Sequence, residues 1–112
     1  MQKSTYYLPH AVSFRDITIN NGFWQNRQKL IRDVTLGAVY DRFQETGRFA
    51  SIKQDWQPGD PQEPHIFWDS DVTKWMEGAA YFLQHHDLPE WEEVLDELTQ
   101  TMAAVQQEDG YL

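Results

Sequence analysis

Apolar residues recur along this chain with two rhythms. Between residues 10 and 19 they alternate with polar neighbours: Val12 and Phe14, then Ile17 and Ile19 beyond Arg15-Asp16. A period of two predicts one or two short strands, bent at Arg15-Asp16. From Asn20 the period lengthens. Phe23, Trp24, Leu30, Ile31, Val34, Ala38 and Val39 recur at spacings of three, four and seven, as on one face of a helix. Asn20-Asn21-Gly22 offers capping chemistry at the start, and Gly47 can take the left-handed conformation that ends a helix. The spacing therefore predicts a helix over 21–46.

The pattern then lapses. Residues 47–68 read as a long irregular connection, with turn chemistry at Asp55-Trp56-Gln57-Pro58-Gly59-Asp60-Pro61. Connections of about 20 residues are uncommon in compact domains and often carry function. A second helix is predicted over 70–85 from Val72, Trp75, Met76, Ala79, Ala80, Phe82 and Leu83. So broad a stripe belongs to a helix buried on most sides, and Gly78, Ala79 and Ala80 permit close helix approach. Asp87-Leu88-Pro89 ends it and opens a third helix, predicted over 89–107. Proline suits the first helical position, and Glu90, Glu92 and Glu93 suit the positive end of the helix dipole. Trp91, Val94, Leu95, Leu98, Met102 and Val105 form its narrower stripe, and Asp109-Gly110 stops it.

A surface helix, a buried helix and another surface helix suggest an outer–inner–outer order, the unit of a helical toroid. The expected fold class is thus mainly α: the N-terminal fragment of an (α/α)₆ barrel, with an extended segment over 1–19 before the helical part over 20–112. In such a ring the loops leading from outer to inner helices share one mouth. Here those loops are 47–69 and 108–112.

Composition narrows the function. The chain has 112 residues and a formal net charge of −9, which argues against nucleic-acid and anionic-membrane partners. It contains no cysteine, so it offers no disulfide framework, thiolate nucleophile or zinc–thiolate site. Met1–His10 lacks the basic-then-apolar pattern of a leader, and no apolar run approaches the length of a membrane span. A soluble, cytoplasmic protein is expected. Five Trp, five Tyr and six Phe supply rings that either fill a core or line a carbohydrate site.

The candidate chemistry gathers at the predicted mouth. Phe67 and Trp68 precede Asp69, Ser70 and Asp71 at the start of the second helix. The three polar residues are good caps, and beside two rings they also suit a sugar-binding edge. Asp69 and Asp71 do not form a catalytic pair, because side chains two residues apart at a helix start diverge, whereas retaining hydrolysis needs groups about 5 Å apart. Asp69 is the better candidate for accepting a sugar hydroxyl or orienting an active-site group. Arg48 can pair with Asp69 or Asp71 across the mouth. His65 and Tyr111 are candidate ligand contacts, and Trp75 belongs to the core. His85 and His86, adjacent on one helix, point to different sides and suit the negative dipole end rather than a metal.

At this point four segments carry a resemblance. They are Gly22-Phe23-Trp24 with Arg27, then Thr46-Gly47-Arg48, then Phe67-x-Asp69-Ser70-Asp71-Val72-x-Lys74-Trp75-x-Glu77-x-Ala79, and finally Gln106-Gln107-x-Asp109-Gly110-Tyr111-Leu112. In this order they resemble the N-terminal part of the β-L-arabinofuranosidase family, glycoside hydrolase family 127. The resemblance implies an (α/α)₆ barrel followed by β-sandwich material, and retaining hydrolysis of terminal arabinofuranosides. It also implies a cysteine nucleophile held in a zinc site of cysteines and a glutamate, with a separate glutamate as acid/base. Those groups belong to later parts of the family's sequence, so no catalytic or metal-ligating residue is assigned in this chain and activity of the chain alone is not expected. The implied partners are a carbohydrate substrate and, as an open expectation, a second copy of the full-length protein. The alternative from a different class is a non-catalytic helical module that binds carbohydrate or a protein partner.

Overall fold

The computed structural model describes residues 11–112. The leader reading of Met1–His10, and the part of the expected extended segment within it, lie outside the described residues. From 11 to 19 the alternation predicts strand, but no strand forms among the described residues. Phe14–Asp16 is instead a 3-10 turn, with the Asp16 N–H donating to Ser13 O at 2.9 Å and the Arg15 N–H donating to Ser13 Oγ at 3.3 Å. A period-two pattern makes a strand only where a neighbour completes the ladder. Here Phe14 packs edge-on against Tyr81 at 4.9 Å and His85 at 6.0 Å between ring centroids.

The predicted first helix is continuous but not uniform. It comprises α1 (Gly22–Leu30), a π turn (Ile31–Thr35) and α2 (Leu36–Glu45). Asn21 occupies the cap position without a side-chain cap hydrogen bond. Within the π turn the Leu36 N–H donates to Ile31 O, five residues back. One extra residue per turn rotates the following face by about 100°. α1 buries no residue, so of the predicted stripe only Val39, in α2, reaches the core. Phe23, Trp24, Leu30, Ile31 and Val34 are exposed, whereas Leu36 is buried and Val39, Tyr40 and Phe43 pack against the core.

Gly47 ends α2 as predicted, with φ 72°. The chain does not become irregular at once: α3 (Arg48–Ser51) follows, fastened where both the N–H and Oγ of Ser51 donate to Gly47 O. The Pro58-Gly59 turn forms, closed where the Asp60 N–H donates to Gln57 O at 2.9 Å. Helices α4 (Trp68–Leu83) and α5 (Pro89–Val105) fall within two residues of their predicted bounds.

α4 is the central element, touching α2, α3 and α5. It buries Val72, Trp75 and Ala79. Leu36, Phe49 and Ile52 complete the buried core, and the α5 stripe from Trp91 to Met102 closes one side. The core is largely aromatic. Tyr40 lies 5.2 Å from Phe49, 5.6 Å from Trp75 and 5.5 Å from Trp91, and Trp75 meets Trp91 at 5.6 Å. Trp75 resolves its polar end by donating Nε1–H to Leu36 O at 3.1 Å, the usual requirement for a buried indole. No helix among the described residues is long and apolar enough to cross a membrane.

Candidate functional site

Arg48, just after α2, meets Asp71 in the first turn of α4, and the short connection after Leu83 turns α5 back against α4, so the end of α5 runs toward the same end. Gly47 makes this juxtaposition tight. Its positive φ favours glycine, and a Cβ there would sit 3.1 Å from Gln62 Oε1, so the Gln62 side chain would have to shift slightly to admit one. Arg48 then reaches across to α4, donating Nε–H to Asp71 Oδ2 at 3.4 Å, with both side chains half-buried. Of the two pairings the sequence allows, the structure contains the one with Asp71.

The first turn of α4 assigns the neighbouring residues different work. Phe67 takes the cap position, where it cannot offer a side-chain acceptor. Asp69, two residues further in, offers one: its Oδ1 accepts from the Ser70 N–H at 2.6 Å. The cap position itself has no side-chain hydrogen bond, and of the Asp69-Ser70-Asp71 run only Asp69 accepts from a first-turn N–H. Ser70 Oγ donates to Phe67 O at 3.2 Å, and Asp71 is taken by Arg48. Asp69 remains exposed, so it can still accept from a ligand. Both acids lie at the positive end of the α4 dipole, which stabilises their charge.

The aromatics also separate. Trp68 packs against the core, whereas Phe67 is 57% exposed. His65 supports Phe67: its Nδ1 accepts from the Phe67 N–H at 3.2 Å, and the two rings lie 5.7 Å apart. With Nδ1 accepting, a neutral imidazole carries its proton on Nε2. Tyr111 follows α5 at the same end and is exposed; its backbone O accepts from the Gln107 N–H at 2.8 Å, closing the terminal turn. The structure therefore groups Arg48, Asp71, Asp69, Ser70, Phe67, Trp68 and His65 around one helix start, with Tyr111 beyond them. Gln62, which wedges against Gly47, was not expected. A glutamine inside an irregular loop carries no periodic or capping signal that would have marked it.

The chain's residues do not fit the zinc centre that the resemblance implies. Cysteine is missing from the sequence, and among the described residues no three of His, Asp and Glu gather as a ligand set. His85 and His86 are engaged elsewhere: His85 Nε2 lies 3.1 Å from Phe14 O, and His86 packs beside Arg32 Nη1, with ring nitrogens at 3.3 and 3.4 Å. Two open concavities lie there too, at the C-terminal end of α4.

The structure is thus a mainly helical array with acids and an open ring at the start of its central helix. The comparisons give that form a family. The family model of the β-L-arabinofuranosidase GH127 catalytic domain matches residues 16–112, and the chain belongs to this family. Over 47 residues, 42% of the chain, it is 49% identical to a non-reducing end β-L-arabinofuranosidase of Bifidobacterium longum subsp. longum. That stretch amounts to 7% of the relative's length. No solved structure matches the chain.

Proposed function

We propose that this chain forms the front arc of the catalytic domain of a glycoside hydrolase that removes terminal β-L-arabinofuranosyl or related residues with retention. The family match over residues 16–112 carries this reading. α4 would be an inner helix of an (α/α)₆ ring, with α1–α2 and α5 outside it. The nucleophile and acid/base would come from segments outside this chain, and the roles of its own residues are binding and positioning. The exposed Asp69 carboxylate would accept a sugar hydroxyl, and the open Phe67 ring would pack on an apolar sugar face. Arg48 and Asp71 would hold the approach to α4 rigid. Tyr111 and the free Nε2–H of His65 would be donors at the rim.

The test is kinetic, on the complete protein that contains this chain. It should cleave an aryl β-L-arabinofuranoside in preference to the α-anomer. Asp69→Ala should lower kcat/KM by about tenfold to a hundredfold, the scale of a lost hydrogen bond to a charged group, with little change in Tm. A collapse of Tm with unchanged activity per folded molecule would leave Asp69 as a cap only. Absence of furanosidase activity would remove the enzyme reading and leave a helical binding module.

A further inference from the structure

The connection from α3 to α4 holds two residues other than glycine in the left-handed region, Gln54 at φ 53° and Gln62 at φ 58°. Side chains rarely adopt this conformation, whereas a glycine takes it freely. Backbone strain of this kind gathers at binding and active sites. The two residues differ in their surroundings. Gln54 closes the turn after α3, its N–H donating to Ser51 O at 3.1 Å. The Gln62 side chain lies along Gly47, its Cβ, Cδ and Oε1 at 3.6, 3.7 and 3.1 Å from the place a Cβ would take there. The next residue, Arg48, reaches Asp71 in the first turn of α4. Gln62 is thus seated beside the Asp69–Asp71 cluster, yet it is exposed. Among the described residues no hydrogen bond engages its amide; the side-chain bonds of this loop belong to Trp56, Asp60 and His65. Packing along Gly47 needs only the length of the side chain. The amide at its end is left with an acceptor and two donors to offer.

From this combination of a strained backbone and an unengaged amide we propose that Gln62 is a substrate-contact residue. Its amide would donate to one ring hydroxyl of the furanose and accept from the neighbouring one, at C2 and C3. The inference rests on the glycosidase reading and deepens it: recognition of the sugar is shared between the start of α4 and the loop that precedes it. A neutral amide suits neutral hydroxyls, and the charge of Arg48 beside it is already met by Asp71.

The experiment uses the complete protein that contains this chain, with an aryl β-L-arabinofuranoside as substrate and Tm recorded for each variant. Gln62→Gly should lower kcat/KM by about tenfold, the scale of lost neutral hydrogen bonds, while Tm holds or rises because glycine takes the left-handed φ without strain. Gln62→Met keeps the length of the side chain and loses the amide, and should show the same fall. Gln54→Gly relieves the same kind of strain and should leave kcat/KM unchanged. The gap between the unaltered protein and Gln62→Met should narrow on the 2-deoxy or the 3-deoxy furanoside, since a contact already lost cannot be lost again. Full activity in Gln62→Met would make Gln62 a packing residue and overturn the proposal, as would an equal gap on all three substrates. Should Gln62→Gly fail to fold, Gln62→Met decides. An unaltered protein that cleaves no furanoside removes the glycosidase reading and this inference with it, whereas an active protein indifferent to Gln62→Met removes the inference alone.

Discussion

Single residues at the start of α4 show how similar groups are separated by their surroundings. Asp69 and Asp71 look interchangeable in sequence, yet one satisfies the Ser70 N–H and stays open while the other meets Arg48. Their assignment depends on where α3 brings Arg48, which no local pattern encodes. At the other end of the helix, His86 supplies a pH-dependent stability. Burial holds its pKa below the ordinary value of 6.5, reinforced by the neighbouring Arg32 and His85 and opposed by Asp33. The folded chain thus binds that proton less readily than the unfolded chain. As pH falls through 6.5 the unfolded state takes up protons first, so stability is fullest above this value and declines below it. Arg32 holds the Asp33 carboxyl below its ordinary 3.8, so the loss of that pair falls in a lower pH window. Denaturant titrations at pH 7.5 and 5.5 should show the decline, and His86→Gln should flatten it. An equal slope in the variant would assign the effect to another group.

At the scale of elements, periodicity was legible wherever one helix face meets one neighbour. α5 is the clearest case, since each residue of its predicted stripe from Trp91 to Val105 is half-buried. It failed where geometry changed inside an element. The π turn at Ile31–Thr35 interrupts the first helix, nothing in Ile-Arg-Asp-Val-Thr announces a five-residue hydrogen bond, and α1 before it buries no residue. Residues 11–19 failed for a different reason, because alternation does not supply the partner strand. The small-residue run in α4 predicts a close-approach surface, and only part of it is one. Ala79 is fully buried, whereas a Cβ on Gly78 would meet nothing within 4 Å. Gly78→Ala should therefore stabilise this chain by up to about 1 kcal/mol, the helix-propensity difference, seen as a rise in Tm. In the complete protein the sign should reverse if another helix of the ring packs on that face. A stabilisation of the same size in both would place Gly78 on an outward surface.

The whole molecule is extended for its length. Its radius of gyration is 19.2 Å, whereas a compact domain of this length would have about 13 Å. The excess follows from packing. The aromatic core joins α2, α3, α4 and α5, but α1 projects from it and leaves Phe23 and Trp24 59% and 67% exposed. These two rings meet edge-on at 5.1 Å, and Arg27 lies over Phe23 at 4.8 Å, so they form a patch rather than scattered apolar contacts. Gly22-Phe23-Trp24 with Arg27 was one of the segments that carried the family resemblance, although the structure gives these residues no part in the core. Their value would then lie in a contact made outside this chain, which the proposed ring would supply. Patches of this kind bind dyes and drive association. The chain alone should take up Nile red or sediment as more than a monomer. Phe23→Ser with Trp24→Ser should reduce either signal while the core helices, and hence the far-UV circular dichroism, persist. A dye-free monomer in the unaltered chain would mean that α1 folds back on the core in solution and that Phe23 and Trp24 need no contact from outside this chain.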